Sequence, residues 1–174
     1  MILCLGTKGC GKTVLLKRLQ ETNFQSLNSY SEIPATVSTV GTNIVYVKQA
    51  TSKESISIIE IGGEMSSIWQ NYFEDCSAIL YVIDSSDLSA MSESCLLLIN
   101  IIKELLKLSK PLYVILSKAD VKNSVNAREM LNELFFLESY LEKSAKKSVD
   151  FIECSCVTGK GLKDVYEWVL RVES

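Results

Sequence analysis

The chain has 174 residues, 47% of them hydrophobic and 22% charged, a composition typical of one globular domain and not of a disordered segment. Its 18 basic and 21 acidic residues give a net charge of −3, which argues against a nucleic-acid binder that works through bulk positive charge. Histidine is absent, which excludes Ser-His-Asp triads, Cys-His nucleophiles and histidine-containing zinc sites.

Six short apolar runs predict β-strands, and several of them are nearly continuous, as in AILYVID and LYVILS. Strands that are covered on both faces have this pattern, which favours a parallel sheet between layers of helices. The stretch QATSKE between the second and third strands predicts a hairpin, and therefore one antiparallel edge strand. The six predicted strands are Ile2–Leu5, Asn43–Lys48, Ser55–Ile61, Ala78–Asp84, Leu112–Ser117 and Asp150–Cys154.

Helical patterns alternate with these strands, and apolar residues recur at helical spacing, as in Leu98, Ile102 and Leu105. This alternation predicts a single doubly wound α/β domain over residues 1–174, in which ligands bind beyond the carboxyl ends of the strands. The predicted helices are Lys12–Thr22, a short one near Ser67–Glu74, Ser92–Leu108, Asn126–Phe136 and Leu162–Val172.

A glycine-rich segment directly follows the first strand and matches the phosphate-loop pattern G-x-x-x-x-G-K-[ST] in full. Its glycines allow successive backbone N–H groups to turn inward at a helix N-terminus, where they bind anions. The lysine is expected to reach the β- and γ-phosphates, and the last hydroxyl is expected to ligate Mg²⁺. The loop consists of Gly6, Thr7, Lys8, Gly9, Cys10, Gly11, Lys12 and Thr13.

Two later loops indicate which base the site takes. Ser117, Lys118 and Asp120 follow the strand LYVIL and resemble the N-K-x-D guanine motif. The carboxylate of Asp120 could accept both N–H donors that guanine presents on one edge, and adenine offers no such pair on that edge. The loop that contains Ser155 and Cys156 resembles the last guanine-binding loop, where the backbone N–H of Cys156 would meet the guanine O6.

Taken together, the segments TVGTNI (residues 39–44) and EIGGE (residues 60–64) resemble the T-I-G-x-N and D-V-G-G-Q segments of the ADP-ribosylation factor (Arf) family of small GTPases. This resemblance extends over essentially the whole chain. It implies a small-GTPase version of the P-loop NTPase fold, with a six-stranded, mostly parallel sheet, one antiparallel edge strand and helices on both faces. It also implies a GTP/GDP-binding switch that uses Mg²⁺.

The resemblance assigns roles to two mobile segments, called here switch I (around Thr39) and switch II (from Gly62 onward). Thr39 would ligate Mg²⁺ together with Thr13 and Glu60, and the Gly63 backbone N–H would donate to the γ-phosphate. Loss of that phosphate would release both switches, which protein effectors and regulators detect.

Three residues depart from the family pattern. Glu60 replaces an Asp, which shifts or weakens the water-mediated link to Mg²⁺, and Ser117 replaces an Asn, which predicts weaker guanine binding and faster release. Glu64 replaces the Gln that orients the attacking water. Of the two catalytic candidates, Lys12 and Glu64, the second is therefore impaired, and we expect a weak GTPase whose hydrolysis is slow or depends on a partner.

Lys8 is unusual for this loop, and the sequence leaves its role open: it could pair with Glu64, neutralise phosphate or point into solvent. Two other functions also stay open. One is a GTPase-like scaffold that does not hydrolyse nucleotide and regulates a protein partner. The other is an ATP-using P-loop kinase, which the scarcity of arginines (Arg18, Arg128 and Arg171) disfavours.

The remaining expectations concern location and partners. The six cysteines form no C-x-x-C pair, no signal peptide is evident and no apolar run reaches about 18 residues, which favours the cytoplasm. No lipid anchor is visible, since residue 2 is Ile2 and the sequence ends in RVES. We expect a monomer that binds guanine nucleotide and protein partners and makes no direct contact with nucleic acid.

Overall fold

The computed structural model describes residues 1–21, 33–49, 54–121, 129, 132 and 149–173. Strands and helices alternate along these residues, because the continuous apolar runs form strands and the amphipathic segments between them form helices. The elements are β1 (Ile2–Leu5), α1 (Lys12–Gln20), β2 (Thr42–Lys48), β3 (Ser55–Ile61), a 3₁₀-helical segment (Gly63–Tyr72), β4 (Ala78–Asp84), α2 (Leu88–Leu108), β5 (Leu112–Ser117), β6 (Val149–Glu153) and α3 (Leu162–Val172).

The six strands form one sheet in the order β2-β3-β1-β4-β5-β6. All neighbouring pairs are parallel except β2 and β3, which pair in antiparallel register from Thr42 opposite Ile61 to Lys48 opposite Ser55. Beyond these strands the backbone N–H of Gln49 donates to the carbonyl of Glu54 at 3.2 Å. The predicted fold class is confirmed, including the antiparallel edge strand, while residues 50–53 of the predicted hairpin lie outside the described residues.

The sheet is covered on both faces, as the continuous apolar runs predict. Successive residues of β1 point to opposite faces, so Leu3 and Leu5 pack in one apolar cluster, with α2, and Ile2 and Cys4 pack in the other, with α1 and α3. Every residue of β1, β4 and β5 is buried. This rigid central sheet fixes the carboxyl ends of its parallel strands, and the loops that follow them, at one edge.

Two helices begin earlier than the sequence predicts. Helix α2 begins at Leu88 instead of Ser92, because the Asp87 side chain accepts hydrogen bonds from the backbone N–H groups of Ser89 (2.8 Å) and Ala90 (3.3 Å) and caps the helix there. The predicted helix near Ser67–Glu74 is a 3₁₀ helix over Gly63–Tyr72, with non-helical backbone angles at Met65.

The other boundaries differ little. Strand β2 begins at Thr42, one residue early, and β6 spans Val149–Glu153 instead of Asp150–Cys154. Helix α1 ends at Gln20, before the predicted end at Thr22, which lies outside the described residues. The predicted helix Asn126–Phe136 also lies outside them, except for residues 129 and 132.

The cysteines and the helix lengths bear on two further expectations. All six cysteines are free thiols, and five are buried while Cys156 is half-buried, so most act as small apolar side chains. None of the helices in the described part of the chain combines the length and the apolarity needed to span a bilayer.

Candidate functional site

The phosphate loop joins β1 to α1 at the carboxyl edge of the sheet and winds tightly. Gly6, Gly9 and Gly11 have φ values of 146°, 77° and 97°, a region that residues with side chains rarely adopt. A Cβ at Gly6 would lie 2.3 Å from the Val82 carbonyl oxygen, so this position also requires glycine for the close approach of β4. The loop therefore has the backbone conformation that its sequence pattern predicts.

Lys12, the first residue of α1, folds back over this loop. Its side chain is buried, and its Nζ donates hydrogen bonds to the carbonyls of Gly6 (2.8 Å) and Thr7 (2.9 Å). These carbonyls hold a full positive charge at the centre of the loop, next to the helix N-terminus. Such a place attracts an anion.

Three oxygen-bearing side chains from separate segments meet beside Lys12. The Oε1 atom of Glu60, from β3, accepts hydrogen bonds from the Oγ1 atoms of Thr13 (2.5 Å) and Thr39 (3.0 Å), and the two hydroxyl oxygens lie 3.1 Å apart. Glu60 is 1% exposed, and its Oε2 atom is buried without a hydrogen-bond partner. A buried carboxylate oxygen that lacks a partner is costly, and a cation would satisfy it.

The donor set of this trio fits a magnesium ion. Carboxylate and hydroxyl oxygens are the hard ligands that Mg²⁺ prefers, and Mg²⁺ binds through few protein ligands when phosphate oxygens and water complete its shell. Elsewhere in the described residues, no cluster of three or more His, Cys, Asp or Glu side chains could hold a metal. The longer Glu60 side chain still brings its carboxylate to Thr13.

Switch II begins in direct backbone contact with two other segments, the one that follows Thr39 and the phosphate loop. In the first contact, the backbone N–H of Gly62 donates to the carbonyl of Gly41 at 2.9 Å. A Cβ at Gly63 would lie 2.3 Å from the backbone nitrogen of Lys8 and 2.5 Å from the carbonyl carbon of Thr7. The segment can lie this close to the loop only because residue 63 has no side chain.

An ion pair bridges the same two segments: the Lys8 Nζ donates to the Oε1 of Glu64 at 2.7 Å. The hydrogen bond from Lys8 and its positive charge lower the pKa of the Glu64 carboxyl, so this carboxylate is charged at neutral pH. A cavity of about 230 Å³ lies between this pair, Lys12 and the Thr13–Thr39–Glu60 trio.

A second cavity of about 210 Å³ lies where the loop after β5 approaches the loop after β6. Ser117, Lys118, Asp120 and Cys156 line it, and Gly11 and Lys118 line both cavities. Its lining is mainly apolar, as a flat base requires. The two cavities adjoin along the phosphate loop, with the charged one at the end near switch II.

Ser117 ties the second cavity to the phosphate loop. It is buried, and its Oγ lies 2.6 Å from the carbonyl oxygen of Cys10 and 3.0 Å from that of Ile83. A hydroxyl has one hydrogen to donate, and two carbonyls within the protein already compete for it. Ser117 therefore keeps the link to the loop and has no second donor for a ligand.

Asp120 is held in place by the loop after β6. The Ser155 hydroxyl donates to its Oδ1 at 2.6 Å, and Ser155 Oγ accepts hydrogen bonds from the backbone N–H groups of Val157 and Thr158. The carboxylate therefore lies in the second cavity with a fixed orientation. No sequence pattern predicts this contact, because the two residues are 35 positions apart on separate loops.

Lys118 pairs with an acidic residue that the sequence analysis did not single out. Its Nζ lies 2.5 Å from the Oδ2 of Asp84, the last residue of β4. Burial raises the pKa of the Asp84 carboxyl, but hydrogen bonds from Lys118 and Ser86 outweigh burial and lower it overall. The only available signal was that Asp84 ends an apolar strand at the ligand-binding edge.

Cys156 and its neighbour Cys154 share a hydrogen bond between their thiols. This bond, followed by burial, raises the pKa of Cys154, and it lowers the pKa of Cys156, which the positive charge of Arg18 lowers further. Arg18 also donates from Nε to the Cys156 carbonyl at 3.1 Å. Sequence reasoning missed Arg18, which anchors the loop around Cys156 to α1.

All the predicted site residues thus lie at one edge of the sheet, in two adjoining groups. The first cavity is lined by Lys8, Gly9, Gly11 and Lys12 of the phosphate loop, by Gly63 and Glu64, and by the Thr13–Thr39–Glu60 trio, whereas Gly6, Thr7 and Cys10 do not line it. Ser117, Lys118, Asp120 and Cys156 line the second, and Ser155 supports it from behind.

Comparison with known proteins gives one consistent result. Residues 1–172 match the model of the ADP-ribosylation factor family. Human ADP-ribosylation factor-like protein 16 is 33% identical over 170 residues, which are 97% of this chain and 84% of that protein. ADP-ribosylation factor-like protein 3 of Chlamydomonas reinhardtii is 32% identical over 98% of this chain and 88% of its own.

A solved structure is similar in fold. The Arl6 BBS3 small GTPase from Trypanosoma brucei, determined with the bound nucleotide analogue GppNp, superposes with a TM-score of 0.66 at 17% identity. The match covers 98% of this chain and 94% of that one.

Proposed function

Because the chain belongs to the ADP-ribosylation factor family, we propose that it is a guanine-nucleotide-binding molecular switch. GTP with Mg²⁺ orders switch I and switch II for protein effectors, and hydrolysis is slow or depends on a partner. It acts as a cytoplasmic monomer. The similar Arl6 structure contains a bound nucleotide analogue, and the positive φ values of Gly6, Gly9 and Gly11 support the binding of such a ligand at the phosphate loop of this chain.

One observation carries the proposal: Thr13, Thr39 and Glu60 converge beside Lys12. Thr13 belongs to α1, Thr39 to switch I and Glu60 to the strand that leads into switch II. A ligand that binds at this point contacts both switches and the phosphate loop at once. A ligand-dependent switch needs this coupling between a site and two movable segments.

Thr13, Thr39 and Glu60 would hold the magnesium ion. The bound ion would neutralise part of the phosphate charge, which lowers the cost of bringing a triphosphate into the loop. The orphaned Oε2 of Glu60 supports this assignment, because it lies buried beside the two hydroxyls. Lys12 can exchange its carbonyl partners for phosphate oxygens.

Asp120 would select the base. Its Oδ1 is fixed by Ser155, so the carboxylate can accept the paired N–H donors of guanine without first losing side-chain entropy. Ser117 would contribute less than an asparagine, because its single hydrogen stays within the protein. This pocket therefore favours guanine over adenine, but it would release the nucleotide quickly.

Glu64 would limit hydrolysis. A carboxylate can accept a hydrogen bond from the attacking water, but it cannot donate to the γ-phosphate and repels it. Among the described residues, Arg18 and Arg171 lie on α1 and α3, so neither switch carries a catalytic arginine of its own. A partner would have to supply one for fast turnover.

The second candidate function is a GTPase-like scaffold that holds GTP without hydrolysing it and regulates a protein partner. The Lys8–Glu64 pair favours it, because it engages the side chain at the position that would orient the attacking water. A turnover assay separates the two functions: release of phosphate supports the switch, and stable GTP in the complex supports the scaffold.

The test is equilibrium binding of fluorescent GTP, GDP and ATP to the purified chain, with and without Mg²⁺. We expect both guanine nucleotides to bind, ATP to bind at least about a hundredfold more weakly and GTP binding to depend on Mg²⁺. Lys12→Ala should abolish binding, and Lys107→Ala, which removes an exposed lysine on α2, is the matched control. Equal affinity for ATP and GTP would contradict the proposal.

A further inference from the structure

The Lys8–Glu64 pair lies at the point where switch II meets the phosphate loop. The backbones of Gly63 and Lys8 are in contact, so the following residue, Glu64, projects next to the Lys8 side chain. Their charged atoms are 2.7 Å apart, and both side chains border the cavity that contains Lys12 and the Thr13–Thr39–Glu60 trio.

The charges around this cavity determine why the Lys8–Glu64 pair matters for a phosphate ligand. Among the described residues, Glu60 and Glu64 are the acidic ones that border it, and the Glu60 carboxylate is engaged by two hydroxyls. Glu64 is 68% exposed and has Lys8 as its charged partner. Without Lys8, closing switch II would bring an uncompensated carboxylate to the end of the cavity where the last phosphate binds, and like charges repel there.

We propose that Lys8 contributes to the preference for the triphosphate. Its ammonium neutralises Glu64, so that switch II can close on the γ-phosphate without bringing a net negative charge to it. This inference rests on the proposed guanine-nucleotide function and adds a specificity residue to it. Lys8 acts through Glu64, so it is a positioning residue and not a catalytic one.

The pair also explains how a glutamate is compatible with the site. A neutral glutamine needs no counter-charge, whereas a glutamate at the same position does, and the loop supplies a lysine within hydrogen-bond distance. The two charges cancel only while they are together, so the preference depends on both residues jointly.

The experiment measures the ratio of GTP to GDP affinity with fluorescent nucleotides in the presence of Mg²⁺. The variants are Lys8→Ala, Lys8→Arg and the double variant Lys8→Ala/Glu64→Gln, each at about 50 mM and 500 mM salt. Lys163→Ala is the control, because it breaks another exposed lysine–glutamate pair, with Glu167, on α3.

We expect Lys8→Ala to lower the GTP-to-GDP affinity ratio about two- to fivefold at low salt, the range that exposed ion pairs reach in double-mutant cycles. Lys8→Arg should keep the wild-type ratio, and the double variant should restore it, since the bare carboxylate is gone. The loss in Lys8→Ala should shrink at high salt.

Other results would overturn the proposal. If the double variant stays as weak as Lys8→Ala, Lys8 acts on the phosphate directly and not through Glu64. If Lys8→Ala changes GTP and GDP affinity equally, or changes neither, the pair sets no preference. A wild-type chain that binds neither guanine nucleotide refutes the proposed function itself, which distinguishes that failure from the failure of the pair.

Discussion

Substituting Gly63 by alanine tests whether switch II must touch the phosphate loop. The added Cβ would lie 2.3 Å from the Lys8 nitrogen and 2.5 Å from the Thr7 carbonyl carbon, both backbone atoms. Neither atom can rotate away as a side chain could. Ordinary contact begins at 3.4 Å, so the two backbones must separate by about 1 Å.

That displacement removes the Gly63 N–H from the position where it would donate to the γ-phosphate. A hydrogen bond to a charged acceptor contributes about 1.5–3 kcal/mol, so GTP affinity should fall roughly tenfold to a hundredfold. GDP lacks the γ-phosphate, and its affinity should change by less than about twofold. The fold itself should persist, because the nearest atoms to the added Cβ belong to the phosphate loop and not to the apolar core.

The measurement is competition of GTP and GDP against a fluorescent nucleotide, together with urea unfolding to check stability. Gly41→Ala is the control: a Cβ there meets no atom within 4 Å, but Gly41 has a φ of 89°, so this substitution strains the backbone without a clash, whereas Gly63 lies outside the positive-φ region. A control that lost as much GTP affinity would show that a backbone disturbance beside switch II is sufficient and that the clash with the phosphate loop is not needed. Equal losses of GTP and GDP affinity in Gly63→Ala would refute the role of the contact.

Three further predictions follow from single side chains. Ser117→Asn adds a second donor where one hydroxyl hydrogen serves two carbonyls, and it should slow release of fluorescent GDP about tenfold; unchanged release would contradict this. Glu64→Gln supplies a donor to the γ-phosphate and should raise single-turnover hydrolysis about tenfold or more, whereas a lower rate would refute the impairment. Because the pKa of Asp84 is lowered in the folded state, its carboxylate stabilises the fold fully at pH values above the ordinary carboxyl pKa. This stabilisation is lost as the pH falls through the pKa of Asp84 in the folded state. Asp84→Asn should therefore make the fall in unfolding free energy below about pH 4 shallower, and an unchanged slope would exclude this contribution.

The fold could be predicted from the sequence because its central strands are buried on both faces. Strands β1, β4 and β5 appear as uninterrupted apolar runs, and their predicted bounds agree with the structure. The start of α2 was predicted too late, because it is defined by the Asp87 cap. Boundaries set by a single cap carry less signal than repeated apolar positions.

The composition of the site was predictable, whereas its internal contacts were not. Most of the residues singled out by motif spacing border one of the two cavities, because the topology brings the ends of parallel strands to one edge, but other lining residues, such as Val37 and Val121, carry no motif. The Ser155–Asp120 and Lys118–Asp84 contacts join residues 35 and 34 positions apart. No local pattern encodes such pairs, since they depend on how separate loops pack.

The lysines that border the first cavity show how a chain with a net negative charge can hold a polyphosphate. Each already has a partner inside the protein: Lys8 has Glu64, Lys12 has two loop carbonyls, and Lys118 has Asp84. A polyphosphate therefore meets cations that are held in position, and it must compete with the present partners of Lys12 and Lys118, whereas Lys8 stays paired with Glu64. Its affinity is the difference between two sets of contacts, so removing Asp84, the partner of Lys118, acts on binding as directly as removing a lysine. The net charge of −3 is compatible with the site because the cations act locally, within about a Debye length of the loop.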